Sequence, residues 1–265
     1  MASGRVTNKI CIVTGGGTGI GRGCALRLAQ EGAKAVVAGR TIETLQETVR
    51  MIREAGGEAN AVRADVSQVE DCRRLVATTI ELYGRVDVLL NNAGYFPRAD
   101  LLETSDDLWR TIMGVNLDGA FFLCREVVPH MKRQGGGSII NMGTIHGLAG
   151  APRLFAYSVS KGALLTLTRN LAKALVNYKI RVNYVIPGWV VTEGELVIQA
   201  RDGHDQAWLQ EVAKTLPMGR HQTPDDSAWA VLFLASDESE MVTGCVLNTD
   251  GGTCVMHTGG GASTD

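Results

Sequence analysis

The chain has 265 residues, of which 45% are hydrophobic and 20% charged, so it can bury a large core, and its composition excludes general disorder. A formal net charge of -2 provides no basic face for nucleic acid or for an anionic membrane surface. Residues 1–9 lack the apolar core of a signal peptide, and no apolar run reaches the roughly 18 residues of a membrane span, so we expect a soluble, cytoplasmic protein.

Short apolar, β-branched runs alternate with longer stretches of helical periodicity up to about residue 250, which is typical of strand–helix–strand units around a parallel sheet. The predicted strands are Ile10–Thr14, Ala35–Ala38, Ala59–Arg63, Val86–Leu90, Ser138–Asn141, Arg181–Ile186 and Val246–Asn248. The predicted helices are Ile20–Glu31, Ile42–Ala55, Val69–Tyr83, Asp106–Arg133 (two helices, broken near Gly119), Ala156–Asn177 and Pro224–Ser236. We therefore predict an α/β fold of Rossmann type, a doubly wound seven-stranded parallel sheet with helices on both faces.

Two segments depart from this regularity. Residues 191–217 follow a Pro-Gly turn and mix polar with apolar residues, at a place where lids over ligand crevices commonly occur, so we expect a lid there. The tail 257–265 is rich in Gly, Ser and Thr and is expected to be disordered. No linker divides the remainder, which predicts a single domain over residues 1–256.

Cysteine and histidine favour neither disulfides nor a metal site. The six cysteines include no CxxC pair and several stand in apolar stretches, so they are expected to be reduced thiols in the core. The five histidines include no HExxH motif, and no metal is predicted.

A glycine-rich turn follows the first predicted strand and leads into the first helix. It reads Gly15-Gly16-Gly17-Thr18-Gly19-Ile20-Gly21. Glycines let backbone approach a pyrophosphate closely, and the free N–H groups of a helix N-terminus attract its charge. The spacing GxxxGxG is not that of a nucleotide-hydrolysing P-loop, so we expect a dinucleotide at this turn; a tight strand-to-helix connection without a ligand is the alternative.

Arg40 follows the second strand, where NAD-binding proteins of this architecture carry an acidic residue for the ribose 2′-hydroxyl. A guanidinium grips a 2′-phosphate and stacks on adenine, which favours NADP(H). NAD(H) remains the alternative, in which Arg40 is only a solvated charge at the start of the next helix.

Two further strand ends carry candidate cofactor ligands. Asp65-Val66 ends the third strand, where the carboxylate could accept a hydrogen bond from the adenine amino group. Asn91-Asn92-Ala93-Gly94 ends the fourth; its asparagines could hold the carboxyl ends of the strands together, and Gly94 would let the cofactor pass close to backbone. Taken singly, each is also an ordinary strand-ending turn.

Tyr157 and Lys161 stand four residues apart at the start of a long predicted helix, which places them on one helix face. An ammonium close to a phenol stabilises the phenolate, so the tyrosine could give or take an alcohol proton. A surface Tyr-Lys pair without function is the alternative.

Together these motifs resemble the short-chain dehydrogenase/reductase family, among its 3-oxoacyl-reductase-like and carbonyl reductase members, over about residues 8–252. The resemblance rests on Thr14-Gly15-xxx-Gly19-x-Gly21, Asp65-Val66, Asn91-Asn92-Ala93-Gly94, Asn116, Tyr157-xxx-Lys161 and Pro187-Gly188. It implies an enzyme that moves a hydride between a nicotinamide and a secondary alcohol or ketone carbon.

The resemblance also implies residue roles. Tyr157 would be the general acid/base, and Lys161 would hold the nicotinamide ribose and lower the pKa of the tyrosine. Asn116 would support a water that relays protons between Lys161 and solvent. The nicotinamide carboxamide would be flanked by Pro187, Gly188, Val190 and Thr192.

One position departs from the family, which usually carries a serine thirteen residues before the tyrosine. This chain has Thr144 there, which retains the hydroxyl but adds a methyl group that restricts χ1. We expect Thr144 to hydrogen-bond the substrate oxygen. The alternative is a nucleotide-binding regulator that has lost useful turnover.

The substrate wall is expected to include aromatic and apolar side chains near the reacting carbon, with His146 either binding a polar substrate or only packing. Its candidates are Tyr95, Phe96, Ile145, His146, Leu154 and Trp189. The resemblance further implies a homotetramer or homodimer through the helices Gly119–Arg133 and Ala156–Asn177, whose apolar residues include Phe121, Leu164 and Leu165.

Overall fold

The computed structural model describes residues 4–258, in which seven strands form one parallel sheet. The strands are β1 (Ile10–Thr14), β2 (Lys34–Gly39), β3 (Glu58–Arg63), β4 (Val88–Asn91), β5 (Gly137–Met142), β6 (Ile180–Pro187) and β7 (Val246–Thr249). Their order across the sheet is β3-β2-β1-β4-β5-β6-β7, and every pairing is parallel. The predicted doubly wound α/β fold is confirmed.

Helices connect the strands on both faces. They are α1 (Gly19–Gln30), α2 (Ile42–Glu54), α3 (Val69–Tyr83), α4 (Asp106–Met113), α5 (Gly119–Arg133), α6 (His146–Ala149), α7 (Phe155–Leu175), α8 (Glu193–Arg201), α9 (Gln206–Thr215), α10 (Pro224–Ala235) and α11 (Thr253–Thr258). The predicted break near Gly119 is a π-helical turn, Gly114–Asp118, between α4 and α5. The short helices α6, α8, α9 and α11 were not predicted, because none has enough residues to show helical periodicity clearly.

Some predicted boundaries are wrong by a few residues. Val86 precedes β4 instead of starting it, because its N–H donates to the side chain of Gln134 and not to a neighbouring strand. Helix α7 ends at Leu175, since residues Val176–Tyr178 tighten into a 3₁₀ turn. Such differences lie within the usual fraying of element ends.

The side chains of the strands alternate between two apolar layers. In β1, Cys11 and Val13 pack in a layer with helices α1 and α10, whereas Ile12 between them packs in the opposite layer with α3 and α5. Both faces of the sheet are therefore buried, as parallel strands require. The chain runs from β1 outward to β3 and then returns to β4 beside β1, so the carboxyl ends of β1 and β4 border the crevice at which such sheets bind ligands.

Residues 191–217, which were expected to form a lid and are called the lid below, contain the helices α8 and α9. An ion pair between Arg98, in the loop after β4, and Asp202, at the end of α8, joins the lid to the opposite side of the crevice. In the tail, helix α11 extends through Thr258, and residues 259–265, expected to be disordered, lie outside the described residues. No helix within residues 4–258 is both long and apolar enough to cross a membrane.

Candidate active site

The glycine-rich turn between β1 and α1 has no room for side chains. Gly15 and Gly19 adopt positive φ angles of 64° and 52°, which L side chains rarely tolerate. A Cβ at Gly21 would lie 2.2 Å from the carbonyl oxygen of Gly15. The turn therefore presents backbone alone, and Thr18, exposed at its tip, precedes the first turn of α1.

A carboxylate from the lid already rests on this turn. Oε2 of Glu193 accepts a hydrogen bond of 3.3 Å from the N–H of Gly19, and Oε1 lies 3.0 Å from Nη1 of Arg22. The N-terminus of α1 thus holds an anionic side chain, as its free N–H groups and dipole favour. Neither Glu193 nor Arg22 was predicted, because nothing in the sequence indicates that the lid folds back over α1.

Side chains at the ends of β1 and β4 are tied together beside the turn. The hydroxyl of Thr14 accepts hydrogen bonds from the N–H groups of Asn92 and Ala93, at 2.9 and 3.0 Å. The side-chain amide of Asn92 donates to the carbonyl oxygens of Thr14 and Gly15, at 2.9 and 3.4 Å. Asn92 and Ala93 therefore fix the shape of the turn, and Gly94 beside them is exposed.

Two arginines lie at the carboxyl ends of adjacent strands. Arg40 follows β2 directly and is exposed, and Arg63 ends β3 in register with Gly39. Nε of Arg63 donates to the carbonyl oxygen of Arg40 at 3.1 Å, which holds the two residues side by side. The sequence analysis missed Arg63, although its position at the end of the neighbouring strand was a usable signal. NAD-binding proteins carry an acidic residue at the end of β2, and this chain has no acidic residue at that position.

Asp65 and Val66 lie where they were expected, just beyond β3. Oδ1 of Asp65 accepts hydrogen bonds from the N–H and the hydroxyl of Ser67, at 3.0 and 2.7 Å. Both bonds involve a single carboxylate oxygen, so the residue is part of a turn and still presents its other oxygen. Val66 is buried against Gly119 at the start of α5.

The structure brings Thr144, Tyr157 and Lys161 together. Thr144 lies just beyond β5, and the other two occupy the first turns of α7. The Thr144 hydroxyl lies close enough to the Tyr157 hydroxyl to lower the pKa of that tyrosine. Nζ of Lys161 lies 5.8 Å from the centroid of the Tyr157 ring and donates to the carbonyl oxygen of Met142 at 2.8 Å.

Burial determines the acidity of this group. It raises the pKa of Tyr157 to about 12, opposed by the Thr144 hydroxyl, and it lowers the pKa of Lys161 to about 8. The amine of Lys161 donates to the carbonyl oxygen of Met142, and the expected lowering of the tyrosine pKa by Lys161 stays a prediction.

A fully buried tyrosine, Tyr184, contacts the backbone of the site. The hydroxyl of Tyr184, on β6, donates to the carbonyl oxygen of Lys161 at 2.9 Å. The Tyr184 ring fills the space beside Gly143, where a Cβ would lie 2.0 Å from a ring carbon. Tyr184 was not predicted, since in the sequence it is only one apolar residue of a strand.

Asn116 lies in the π-helical turn, and its side chain is fully used. Oδ1 accepts from the N–H of Tyr95 at 2.8 Å, while Nδ2 donates to the carbonyl oxygen of Tyr95 and to the hydroxyl of Ser160, at 2.9 and 3.1 Å. The residue thus clamps the loop after β4 to α7. Asn116 and Lys161 both line a cavity of about 10 Å³, which is room for about one water.

The segment that was expected to face the nicotinamide is held by Gln222. The N–H of Gly188 donates to Oε1 of Gln222 at 2.6 Å, and Val190 pairs with the same residue in a parallel bridge. Pro187, the last residue of β6, is buried. Thr192 caps α8 by accepting from the N–H of Glu195 at 3.2 Å, and it lies close enough to Gly19 that a Cβ there would be 3.1 Å from its methyl group.

Trp189 contacts two residues of the lid, Glu195 and Trp208. Its Nε1 donates to Glu195 at 2.8 Å, and its ring packs edge-on against His221 and Trp208, with centroid distances of 4.7 and 6.1 Å. His204 stacks on Trp208 at 3.6 Å. Trp189 therefore anchors the lid, a role that the sequence analysis did not predict.

Of the other expected wall residues, Phe96 contacts the phenol. Its ring lies 5.7 Å from that of Tyr157, and both Phe96 and Tyr95 are exposed. His146 begins α6, and its N–H donates to the hydroxyl of Thr144 at 3.3 Å. Leu154 precedes α7 and pairs with Ala99 in a parallel bridge.

A backbone-only turn at the switch point of a doubly wound sheet is where dinucleotides bind. The fold and this turn are therefore those of a nucleotide-binding oxidoreductase. A family model described as enoyl-(acyl carrier protein) reductase matches residues 15–254. The chain belongs to the short-chain dehydrogenase/reductase family.

Relatives and solved structures match along almost the whole chain. The chain is 39% identical to an NADP-dependent (R)-specific alcohol dehydrogenase of Lentilactobacillus kefiri, over 94% of this chain and 97% of the relative. It is 35% identical to a 3-oxoacyl-(acyl-carrier-protein) reductase of Thermotoga maritima, over 95% and 100%. A candidate NAD(P)-dependent gluconate 5-dehydrogenase from Beutenbergia cavernae, solved with NADP at low occupancy, has a TM-score of 0.85 and 36% identity, over 93% and 97%.

Proposed function

We propose that this chain is an NADP(H)-dependent carbonyl reductase or secondary-alcohol dehydrogenase with Tyr157 as its general acid/base. The observation that carries the proposal is the placement of Thr144 and Tyr157 together at the carboxyl edge of the sheet, with buried Lys161 one helical turn from the tyrosine. Two hydroxyl groups that converge on one point can both donate to a substrate oxygen placed there.

The acidities suit ketone reduction. With a pKa near 12, the Tyr157 hydroxyl keeps its proton at neutral pH and can give it to an oxygen on which negative charge develops. Lys161, with a pKa near 8, is mostly protonated at pH 7 and can replace that proton or stabilise the phenolate. The Thr144 hydroxyl holds the same oxygen, so the methyl group that distinguishes it from serine does not remove this hydrogen bond.

The cofactor that fits best is NADP(H), which supplies or accepts the hydride when bound. The residues proposed to hold it are Gly15, Thr18, Gly19, Ile20, Gly21, Arg40, Asp65, Val66, Asn92, Ala93, Gly94, Tyr157, Lys161, Pro187, Gly188, Val190 and Thr192. The exposed guanidinium of Arg40, with Arg63 beside it, supports a preference for the 2′-phosphate over the free 2′-hydroxyl.

Turnover tests the chemistry. Oxidation of NADPH and of NADH is followed with a panel of 3-oxoacyl thioesters, sugar-like ketones and small cyclic ketones, for the wild type, Tyr157→Phe and Thr144→Val. We expect turnover by the wild type with NADPH and loss of at least about a hundredfold in Tyr157→Phe. Tight cofactor binding without turnover in any of the three proteins would instead favour a nucleotide-binding regulator.

The assembly is proposed to be a homotetramer or homodimer through α5 and α7. Phe121 on α5 and Val159 on α7 each expose 43% of their surface, which supports an apolar interface. Leu164 and Leu165, also considered for it, are buried in the core and contribute none of this surface. Mass in solution, with Phe121→Glu as the disrupting variant, tests the assembly. The six free cysteines suit a reducing compartment such as the cytoplasm.

A further inference from the structure

Three buried polar side chains form a chain of hydrogen bonds between β4, β5 and α7. The hydroxyl of Thr168 donates to the carbonyl oxygen of Leu164 at 2.8 Å, and since a carbonyl cannot donate, the Thr168 oxygen accepts from its other neighbour. That neighbour is Nδ2 of Asn141, at 2.8 Å. Oδ1 of Asn141 in turn accepts from Nδ2 of Asn91, also at 2.8 Å. Thr168 thereby fixes the orientation of both amides.

In this chain of hydrogen bonds one acceptor, the amide oxygen of Asn91, has no partner among the described residues. Because Nδ2 of Asn91 faces Asn141, Oδ1 faces the other way. Only 5% of Asn91 is exposed, so bulk water does not satisfy the atom. A buried amide oxygen without a partner costs about 1–3 kcal/mol, and native proteins rarely leave one so.

Asn91 lines the cavity of about 10 Å³ described above, together with Thr14, Asn116 and Lys161. That volume corresponds to about one water, and the wall offers it the Asn91 amide oxygen as an acceptor and the Lys161 amine as a donor. Lys161 has three amine hydrogens, of which the bond to Met142 uses one. The cavity can therefore connect the Asn91 acceptor to the Lys161 amine through a single molecule.

We propose that Asn91 is a positioning residue that holds one buried water in this cavity and through it hydrates the amine of Lys161. The amide oxygen of Asn91 accepts one hydrogen of the water, whose own oxygen accepts from the lysine. The role for Lys161 rests on the proposed function, whereas the water site does not. The bond from Nδ2 of Asn91 to Asn141 joins β4 to β5. It does not account for the buried amide oxygen of Asn91.

Hydration of the amine affects how readily it carries a proton. The titratable groups that contact Lys161 are Tyr157 on its own helix and Tyr184 on β6, both uncharged at neutral pH, and burial alone lowers the pKa of the lysine. Loss of the water would desolvate the ammonium further and lower this pKa again. In ketone reduction the supply of protons falls as pH rises through the pKa of Lys161, so the alkaline limb of the rate profile would move to lower pH.

Two isosteric variants separate this role from strand joining. Asn91→Leu and Asn141→Leu both remove the 2.8 Å bond between the two amides, but only Asn91→Leu removes the amide oxygen that has no partner, on a residue that lines the cavity. High-resolution crystal structures are expected to show a water within hydrogen-bond distance of Asn91 Oδ1 in the wild type and in Asn141→Leu. They should show none at that position in Asn91→Leu.

An unfilled cavity in the wild type, or a water that stays in place in Asn91→Leu, would overturn the proposal. The wild-type structure alone decides the first point even if a variant fails to fold. The link to Lys161 is tested by kcat against pH, where the alkaline limb should move down by about one pH unit in Asn91→Leu and stay in place in Asn141→Leu. Equal movement in both variants refutes that link, while absence of any turnover in the wild type refutes the proposed function and leaves the crystallographic test standing.

Discussion

Replacement of Glu193 by glutamine should strengthen NADP(H) binding. The carboxylate of Glu193 rests on the N–H of Gly19 and pairs with Arg22, at the helix terminus proposed to receive the pyrophosphate. A bound pyrophosphate and this carboxylate are like charges that compete for the same donors. The carboxylate must therefore leave before the cofactor is held, and its contacts are lost on binding.

The size of the effect follows from exposure. The side chain of Glu193 is 63% exposed and that of Arg22 19%, so the pair is screened by solvent and contributes about 0.5–1 kcal/mol. The bond to Gly19 is long, at 3.3 Å, and adds little. Removal of the charge should thus lower the dissociation constant for NADP by about two- to fivefold.

Isothermal titration with NADP at two salt concentrations measures this change. Glu211→Gln is the matched control, because Glu211 is also a lid glutamate in an exposed ion pair, with Lys214, but does not contact the glycine turn. The difference between Glu193→Gln and wild type should shrink as salt rises, and the control should bind like the wild type. Unchanged or weaker NADP binding by Glu193→Gln at low salt would refute the reasoning.

Four other changes have defined outcomes. Thr144→Ser should keep kcat for ketone reduction within about threefold, because the hydroxyl is retained, and a loss as large as that in Thr144→Val would contradict this. Gly143→Ala should lower the free energy of unfolding by about 1–3 kcal/mol or more, measured by denaturant titration, since its Cβ would meet the Tyr184 ring; wild-type stability would show that the ring moves freely. Arg40→Ala should weaken NADP binding at least about tenfold and leave NAD binding unchanged, so equal cofactor preference before and after would argue against a phosphate clamp. Asp226, whose pKa is held well below its usual range chiefly by Arg220, should contribute stability above about pH 4 that is lost as pH falls, and Asp226→Asn should flatten that part of the profile in thermal unfolding.

Much of the site was predictable because its signals are local. The glycine turn depends on the backbone of a few consecutive residues, and Tyr157 and Lys161 are neighbours through helical spacing alone. Strand ends could also be placed, which located Arg40 and Asp65. The lid helices α8 and α9 were not predicted from the sequence, since they have only 9 and 10 residues and mixed polarity.

Contacts between distant segments were not predictable from the pattern. Glu193 reaches a turn 174 residues away, and Asn91 meets Asn141 across 50 residues. The direction in which burial shifts the pKa of Tyr157 was not predictable for the same reason. Sequence spacing indicates that an amine is near, but the pKa depends on how much water the surrounding elements exclude.

By itself the sequence determined the parallel sheet, the glycine-rich turn and the tyrosine–lysine pair, because side-chain periodicity and glycine spacing act over a few residues. Only the tertiary structure decided that a lid carboxylate rests on the turn, that Trp189 anchors the lid, and that burial raises the pKa of the phenol while lowering that of the amine. These features depend on which distant groups meet and on how completely water is removed between them. Neither can be predicted from the order of neighbouring residues in the sequence.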